Sequence, residues 1–419
     1  MVPNGWESVR LSKISETVTS GSRDWAQYYS DSGSKFIRMT NLPRDGIYLK
    51  LDDLKFVNVQ SDSSDGKRTS LKEGDLLISI TAELGKIGWV PPELGEAYIN
   101  QHTALVRIKK DCAEPKYVAY LLSSHAMNHK INRLNDSGAK AGLNLPTIRS
   151  IPMALPPLPE QRKIAKILST WDKAIATTEK LIETSKQQKK ALMQQLLTGK
   201  RRLVNSETGK TFDGEWEKIN FGEVITHVGG TALEKYVKED AAYHFISIGN
   251  YSMDGRYVDK GQRIVLNDKT KSKLLYKDDL VMVLNDKTKT GDIIGATILI
   301  DSDDKYIYNQ RSERISVDNG INVRFFWFLL NSKYFRTEVF NRSQGGTQIY
   351  VNFGALKSIS LSLPSHQEQQ KIASVLTVAD SEVDVLEAKL AHFKQEKKAL
   401  MQQLLTGKRR VKIEEIEVA

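Results

Sequence analysis

Cysteine is almost absent from the chain: one residue in 419, Cys112. That excludes an intramolecular disulfide framework and a thiolate zinc cluster, and it fits a reducing cytoplasm. Long apolar runs are absent too. None approaches the roughly 18 residues of a membrane helix, and the opening MVPNGWESVR lacks the apolar centre of a signal peptide. A soluble, cytoplasmic protein without a membrane partner is expected. Catalytic signatures are missing as well. There is no G-x-x-x-x-G-K-[ST] loop, no G-x-G-x-x-G, no H-E-x-x-H and no C-x-x-C. His125 and His129 share a helical face at i,i+4, but no third ligand accompanies them, and they read as solvent-facing. The acid pairs Asp52-Asp53, Asp278-Asp279 and Asp303-Asp304 lie in polar stretches and mark turns. No metal, no bound cofactor and no catalytic residue is expected.

What is present begins with charge. The formal net charge is +10, which points to a polyanionic partner. Residues 1–157 carry 20 Lys and Arg against 17 Asp and Glu, and residues 158–203 carry 11 against 4. Residues 204–365 balance at 21 each and residues 366–419 at 9 each. Most of the excess therefore sits in one short central segment, where a solubilising helix face explains it as well as nucleic acid does.

The chain is written twice. Lys189–Arg202 reads KKALMQQLLTGKRR, and Lys397–Arg410 reads the same fourteen residues. Upstream, Glu160-Gln161 faces Glu368-Gln369, Leu155-Pro156 faces Leu363-Pro364, and Asn144 faces Asn352. Looser matches continue toward the N-terminus. Trp6 stands with Trp216, Phe36-Ile37 with Phe245-Ile246, Asn41 with Asn250, Gly74-Asp75-Leu76 with Asp278-Asp279-Leu280, Ile87-Gly88 with Ile294-Gly295, and Asn100-Gln101 with Asn309-Gln310. Such self-similarity marks a duplication. Four segments follow: a globular block (1–157), a central helix (158–203), a second globular block (204–365), and a distal helix with a tail (366–419).

The helical segments carry a 4-3 apolar alternation. In the first it runs Ile164, Leu168, Trp171, Ile175, Thr178, Ile182, Ser185, Lys189, Leu192 and Leu196; in the second, Ile372, Leu376, Ala379, Val383, Leu386, Leu390, Phe393, Lys397, Leu400 and Leu404. A sustained 3.5-residue period is a coiled-coil seam. Each helix begins after proline and ends at glycine, Gly199 or Gly407. About 40 residues make about 60 Å of helix, which cannot stand alone in water with one apolar stripe. An antiparallel pair within the chain is the expected solution, with pairing between two chains the alternative. The polar seam positions would fix register.

The globular blocks read as mixed α/β, with strands at Asp75–Ile80, Lys86–Val90, Thr103–Ile108, Tyr243–Ile248, Leu280–Leu284 and Ile293–Ile300. Helices are expected over Lys116–Arg133 and Val323–Phe340, followed in each block by a Gly- and amide-rich loop, Asn135–Leu145 or Asn341–Phe353. Cationic and amide side chains suited to bases and phosphates are Arg23, Arg44, Lys67, Arg68 and Lys140 in the first block. In the second they are Lys269, Lys271, Lys273, Lys287, Lys289, Gln344 and Gln348. A solvated surface accounts for any one of them taken singly.

Two divergent blocks, each followed by a long helix that opens L-P-x-x-x-E-Q and closes L-L-T-G-K, resemble the DNA-specificity subunit of type I restriction–modification systems. The resemblance covers nearly the whole chain. It implies two α/β target-recognition domains, each reading half of a bipartite site on double-stranded DNA, separated by paired antiparallel coiled-coil helices. It also implies two methyltransferase subunits docked on those helices and carrying S-adenosylmethionine, with a motor-nuclease subunit joining for restriction. No active site is expected in this chain itself. The competing readings are a DNA-independent coiled-coil scaffold presenting two protein-interaction domains, and an enzyme with an unfamiliar site.

Overall fold

The computed structural model describes residues 2–21, 23, 25–134 and 142–413. Packing divides the chain into two units, residues 1–179 with 388–419 and residues 180–387. The division falls inside the long helices, so each unit holds one globular block and parts of both helices.

In the first unit a four-stranded antiparallel sheet runs in the order Ser15–Ser20, Thr103–Ile108, Leu76–Ser79, Ile87–Trp89. A second sheet orders Tyr29–Ser30, Lys55–Val57, Ser34–Ile37 and Ala97–Ile99, the last two parallel. Glu7–Arg10 pairs with Pro152–Leu155 and closes the block where the helix begins. Leu76 and Ile78 face the helix Pro115–Ser123 and its Tyr117, Val118 and Leu121, whereas Leu77 joins Ile37, Ile99 and Leu105 on the opposite face. This central strand is covered on both sides, which is why it reads as a continuous apolar run rather than an alternating one.

The second unit repeats the plan. Its antiparallel sheet orders Ile225–Gly229, Ser312–Val317, Leu280–Val283 and Thr297–Leu299. Tyr243–Ile246 lies between Arg263–Ile264 and a parallel Tyr306–Tyr308, and Glu217–Asn220 pairs with Ser360–Leu363. Leu280 and Met282 pack toward the aromatic helix Val323–Leu330, while Val281 and Val283 face the other way.

Two expectations need correction. Each long helical run of the globular blocks is two helices: Pro115–Ser123 with His125–Arg133, and Val323–Leu330 with Lys333–Asn341. Ser124 and Ser332 break them, because each hydroxyl accepts a bond from the N–H three residues on (Met127 or Phe335) and starts a new helix at a new angle. Ile87-Gly88 is also not the partner of Ile294-Gly295. Gly85 and Gly295 hold the equivalent place, each donating its N–H across the hairpin, to Ser79 (3.0 Å) or Val283 (2.8 Å). The strands that follow are Ile87–Trp89 and Thr297–Leu299. A longer hairpin loop in the second unit shifts the register of the match.

The central helix spans Leu158–Leu196 and the distal helix His366–Leu404, 39 residues each. Within each unit their segments run antiparallel. In the first, Asp172 pairs with Lys397 (2.5 Å) and Glu179 with Lys394 (2.8 Å), and Trp171 meets Phe393 edge to face at 5.6 Å. In the second, Asp380 pairs with Lys189 and Glu387 with Lys186 (2.7 Å). Ile164, Leu168, Ile182, Leu196, Ile372, Leu376, Val383 and Leu404 are buried, and Trp171, Ile175, Leu192, Leu386, Leu390, Phe393, Leu400 and Lys397 half-buried. The seam lysines thus find carboxylates from the facing helix, where an unpaired charge would be costly.

The repeated Glu-Gln at each helix start is structural. Gln161 accepts the Glu114 N–H (2.9 Å) and donates to the Pro156 carbonyl (2.8 Å). Gln369 does the same with Asn322 (2.9 Å) and Pro364 (2.9 Å). Glu160 and Glu368, each 1% exposed, take bidentate bonds from Arg410 and Arg202 at 2.6–2.7 Å. Gly199 and Gly407 end the helices in the left-handed region, φ +67° and +68°, and lie against Trp216 and Trp6.

Candidate nucleic-acid interface

Hairpin loops are where the two units part company. In the first unit the turn between Ser79 and Gly85 is five residues, 80–84; in the second the turn between Val283 and Gly295 is eleven, 284–294. Both loops are tied to the Gly-rich loop of their own block. Leu143 donates its N–H to Ile80 (3.0 Å), and Val351 donates to Leu284 (2.9 Å). Beyond that shared tie the described residues of the first unit add one antiparallel bridge, Thr81 to Gly142, where the second unit has a two-stranded ribbon, Asn285–Asp286 against Ile349–Tyr350.

Local chemistry shapes this ribbon. Asp286, 4% exposed, accepts bonds from the Thr288 N–H and hydroxyl (both 2.8 Å) and from the Ile293 N–H (2.9 Å). Its carboxylate gathers the loop, and Lys287 and Lys289 are left exposed at the tip. On the other strand Gln344 and Tyr350 exchange both backbone bonds at 2.8 Å. Gly345 makes that turn possible: its φ is +114°, and a Cβ there would stand 2.1 Å from the Gln348 carbonyl oxygen. Gln344, Gln348 and Tyr350 are exposed.

Beside the ribbon lies a polar cleft of about 510 Å³, lined among others by Lys287, Gln348, Arg311, Gln262, Ser247 and Glu234. Glu234 is occupied, accepting from Asn309 (2.7 Å) and Gln310 (3.2 Å), and these bonds, the Asn309 one foremost, hold its carboxyl below the ordinary range. The Asn-Gln pair found in both halves is therefore partly architectural. Asn41 and Asn250 are wholly so: each is buried, accepts the N–H three residues back, and donates to a carbonyl further along (Lys50 or Val258).

The remaining candidates scatter. Arg23 is exposed. Arg44 is exposed and salt-bridged at 3.0 Å to Glu83, which belongs to the first unit's hairpin loop. Lys67 and Arg68 are exposed on the short helix Ser64–Thr69, with Arg68 3.4 Å from Asp65. Lys140 lies outside the described residues. Lys269 and Lys271 are exposed on a separate short helix, Asp268–Lys271. Lys273 has an internal role: it is 9% exposed, its amine donates to the Gly229 carbonyl (2.5 Å), and burial lowers its pKa. That amine is turned inward because the chain leaves the short helix directly into the packed stretch of Leu274 and Leu275. The structure thus brings together Lys287, Lys289, Gln344 and Gln348. It adds Arg311, which sequence reading missed, although its place directly after Asn309-Gln310, where the first block has His102, could have flagged it.

Comparison with known proteins supplies the decisive observation. The family model for the type I restriction modification DNA specificity domain matches twice, over residues 3–187 and 213–395. The chain belongs to this family. Its role is DNA specificity, and the two matches coincide with the two halves of the repeat. Among curated relatives, the type I restriction enzyme MjaVIII specificity subunit of Methanocaldococcus jannaschii is 27% identical, over 98% of this chain and 94% of that protein. The crystal structure of the type I restriction–modification S subunit from M. genitalium shares the fold, with a TM-score of 0.61 at 14% identity over 96% of this chain and 97% of that one. So does a chain from a structural study of type I restriction–modification complex assembly, with a TM-score of 0.56 at 14% identity over 98% and 100%. No helix among the described residues is long and apolar enough to cross a membrane.

Proposed function

We propose that each globular block reads one half of a bipartite, asymmetric site on double-stranded DNA, and that the two long helices set the number of unspecified base pairs between the halves. The observation that carries this reading is the contrast within the duplication. Sheets, helix starts and seam ion pairs are repeated in kind, while the hairpin loops differ in length and charge. Two copies of one scaffold with two different reading edges suit two different half-sites.

The same helices seat two methyltransferase subunits, which bring S-adenosylmethionine; this chain holds no cofactor and carries out no chemistry. In the repeated fourteen-residue segment the buried leucines are explained by packing. Lys190, Gln194, Gln195 and Arg201 are exposed, as are their counterparts Lys398, Gln402, Gln403 and Arg409, and packing does not require their identity in both copies. Identical exposed faces suit two identical partners. A motor-nuclease subunit completes the complex for restriction in the cytoplasm.

The test is an exchange of residues 1–157 for the corresponding block of a related subunit, followed by sequencing of methylated sites in cells holding the partner methyltransferase. One half of the motif changes and the other stays. If both halves change, the two-reader reading is wrong. If the purified chain shows no salt-dependent binding to duplex DNA, the scaffold reading replaces it.

A further inference from the structure

We propose that Arg311 is the guanine-reading residue of the second unit, presented to the major groove at the base of the ribbon formed by Asn285–Asp286 and Ile349–Tyr350. The inference rests on the DNA-reading role proposed above and deepens it to one side chain and one base.

Arg311 is half-buried in the wall of the cleft, next to Lys287 and Gln348, and its guanidinium has no hydrogen-bond or ion-pair partner among the described residues. The half-buried Arg107, Arg202, Arg256 and Arg263 reach carboxylates, and Arg149 and Arg336 donate to backbone carbonyls. Arg314, whose Nε is enclosed without a partner, shares the lack of an acceptor but does not line the cleft. The acid lining the cleft, Glu234, is already engaged by Asn309 and Gln310. A guanidinium fork that no protein acceptor engages keeps its donors for a ligand that supplies acceptors. The first unit shows the same position closed: His102 there has its Nδ1 2.8 Å from the Thr81 hydroxyl, inside its own shorter hairpin. The open arginine is thus specific to the half with the longer loop.

The surroundings select the ligand. A two-stranded ribbon fits the major groove, which is about 12 Å wide. A planar guanidinium fork matches the paired O6 and N7 acceptors of guanine, a geometry that lysine cannot reproduce. Gln348, beside it, is free to take a neighbouring base edge. Lys287 and Lys289, exposed at the ribbon tip, suit backbone phosphates, which position the protein without specifying sequence.

The experiment uses the full chain assembled with its methyltransferase and a library of randomised duplexes, comparing wild type, Arg311→Ala, Arg311→Lys and Lys289→Ala. Wild type should select a bipartite motif with at least one required guanine in the half-site read by residues 204–365. In Arg311→Ala that guanine should lose its preference, a fall of about 5- to 150-fold in discrimination at one position, as expected for loss of one bidentate contact. Arg311→Lys should keep overall affinity better yet still lose the preference. Lys289→Ala should weaken all sequences alike and lower the salt slope by about 1. An unaltered motif in Arg311→Ala, with unaltered melting, overturns the proposal. So does an equal loss on every sequence, which would make Arg311 a phosphate contact. If wild type selects no motif at all, the reading role itself has failed, and that outcome is distinct from either of these.

Discussion

If the helices act as a ruler, lengthening them should lengthen the gap in the recognised site. The structure says where to cut. Lys189 pairs with Asp380 in the antiparallel seam, so Ser185, four residues earlier, stands opposite residue 384, four residues later. A repeat of Glu179–Ser185 inserted after Ser185, with a repeat of Asp384–Leu390 inserted after Val383, adds one heptad to each strand of the pair. The apolar seam continues at its 3.5-residue period, and neither copy carries a seam lysine or its partner aspartate. The inserted Asp also takes the place of Asp384 beside Arg256. Seven residues add about 10.5 Å of rise, the length of about three base pairs. Seven residues turn the helix by only about 20°, whereas B-DNA turns about 34° per base pair. Rise therefore favours three added base pairs and groove phase favours fewer, so the expected lengthening is about one to three. Methylated-site sequencing reads the spacer directly, and circular dichroism with gel filtration checks folding and assembly. A folded, assembled variant that still methylates only the original spacing refutes the reasoning.

Two further outcomes test the fold. Asp380→Ala should destabilise by about 3–5 kcal/mol in urea unfolding, because it leaves Lys189 and Arg256 in the seam without their shared carboxylate; Asp380→Leu with Lys189→Met should recover much of the loss. His244 has its pKa lowered, mainly by burial and then by Arg263. The folded state therefore binds a proton less readily than the unfolded one, and stability should fall as pH drops through the ordinary histidine value of about 6.5. His244→Gln should flatten the slope of the urea midpoint between pH 7.5 and 5.5, and an unchanged slope would count against it.

The two seam aspartates show how one architectural need is met twice with different side chains. Asp172 takes a 2.5 Å bond from the Tyr120 hydroxyl as well as the Lys397 pair, and burial with that carboxylate pushes the phenol far above its usual range. In the second unit the residue in Tyr120's place is Phe328, which has no hydroxyl, and Arg256 supplies the second contact to Asp380 at 2.9 Å. Asn41 donates to the Lys50 carbonyl and Asn250 to the Val258 carbonyl, so two residues before each, Arg256 stands where the first unit has Tyr48, itself 3.5 Å from the Tyr120 hydroxyl.

Periodicity and repetition were enough to point to the duplication and to a pair of long packed helices. These depend on spacing along the chain, and a seven-residue apolar repeat admits few structures. The mixed α/β character of the blocks was also legible from short apolar runs between turn residues. The breaks at Ser124 and Ser332 were not, because a serine within an apolar helical run signals a new start only when the following N–H turns toward it. The roles of the candidate side chains were decided by tertiary structure alone. Lys273 and Lys287 look alike in sequence, yet one amine is spent on a backbone carbonyl and the other stands free at a loop tip. Arg311 carried no motif of its own. Its open guanidinium is visible only once the ribbon, the strand bearing Asn309 and the occupied Glu234 have been folded into one cleft, since a partner, or the lack of one, is a property of neighbours distant in sequence.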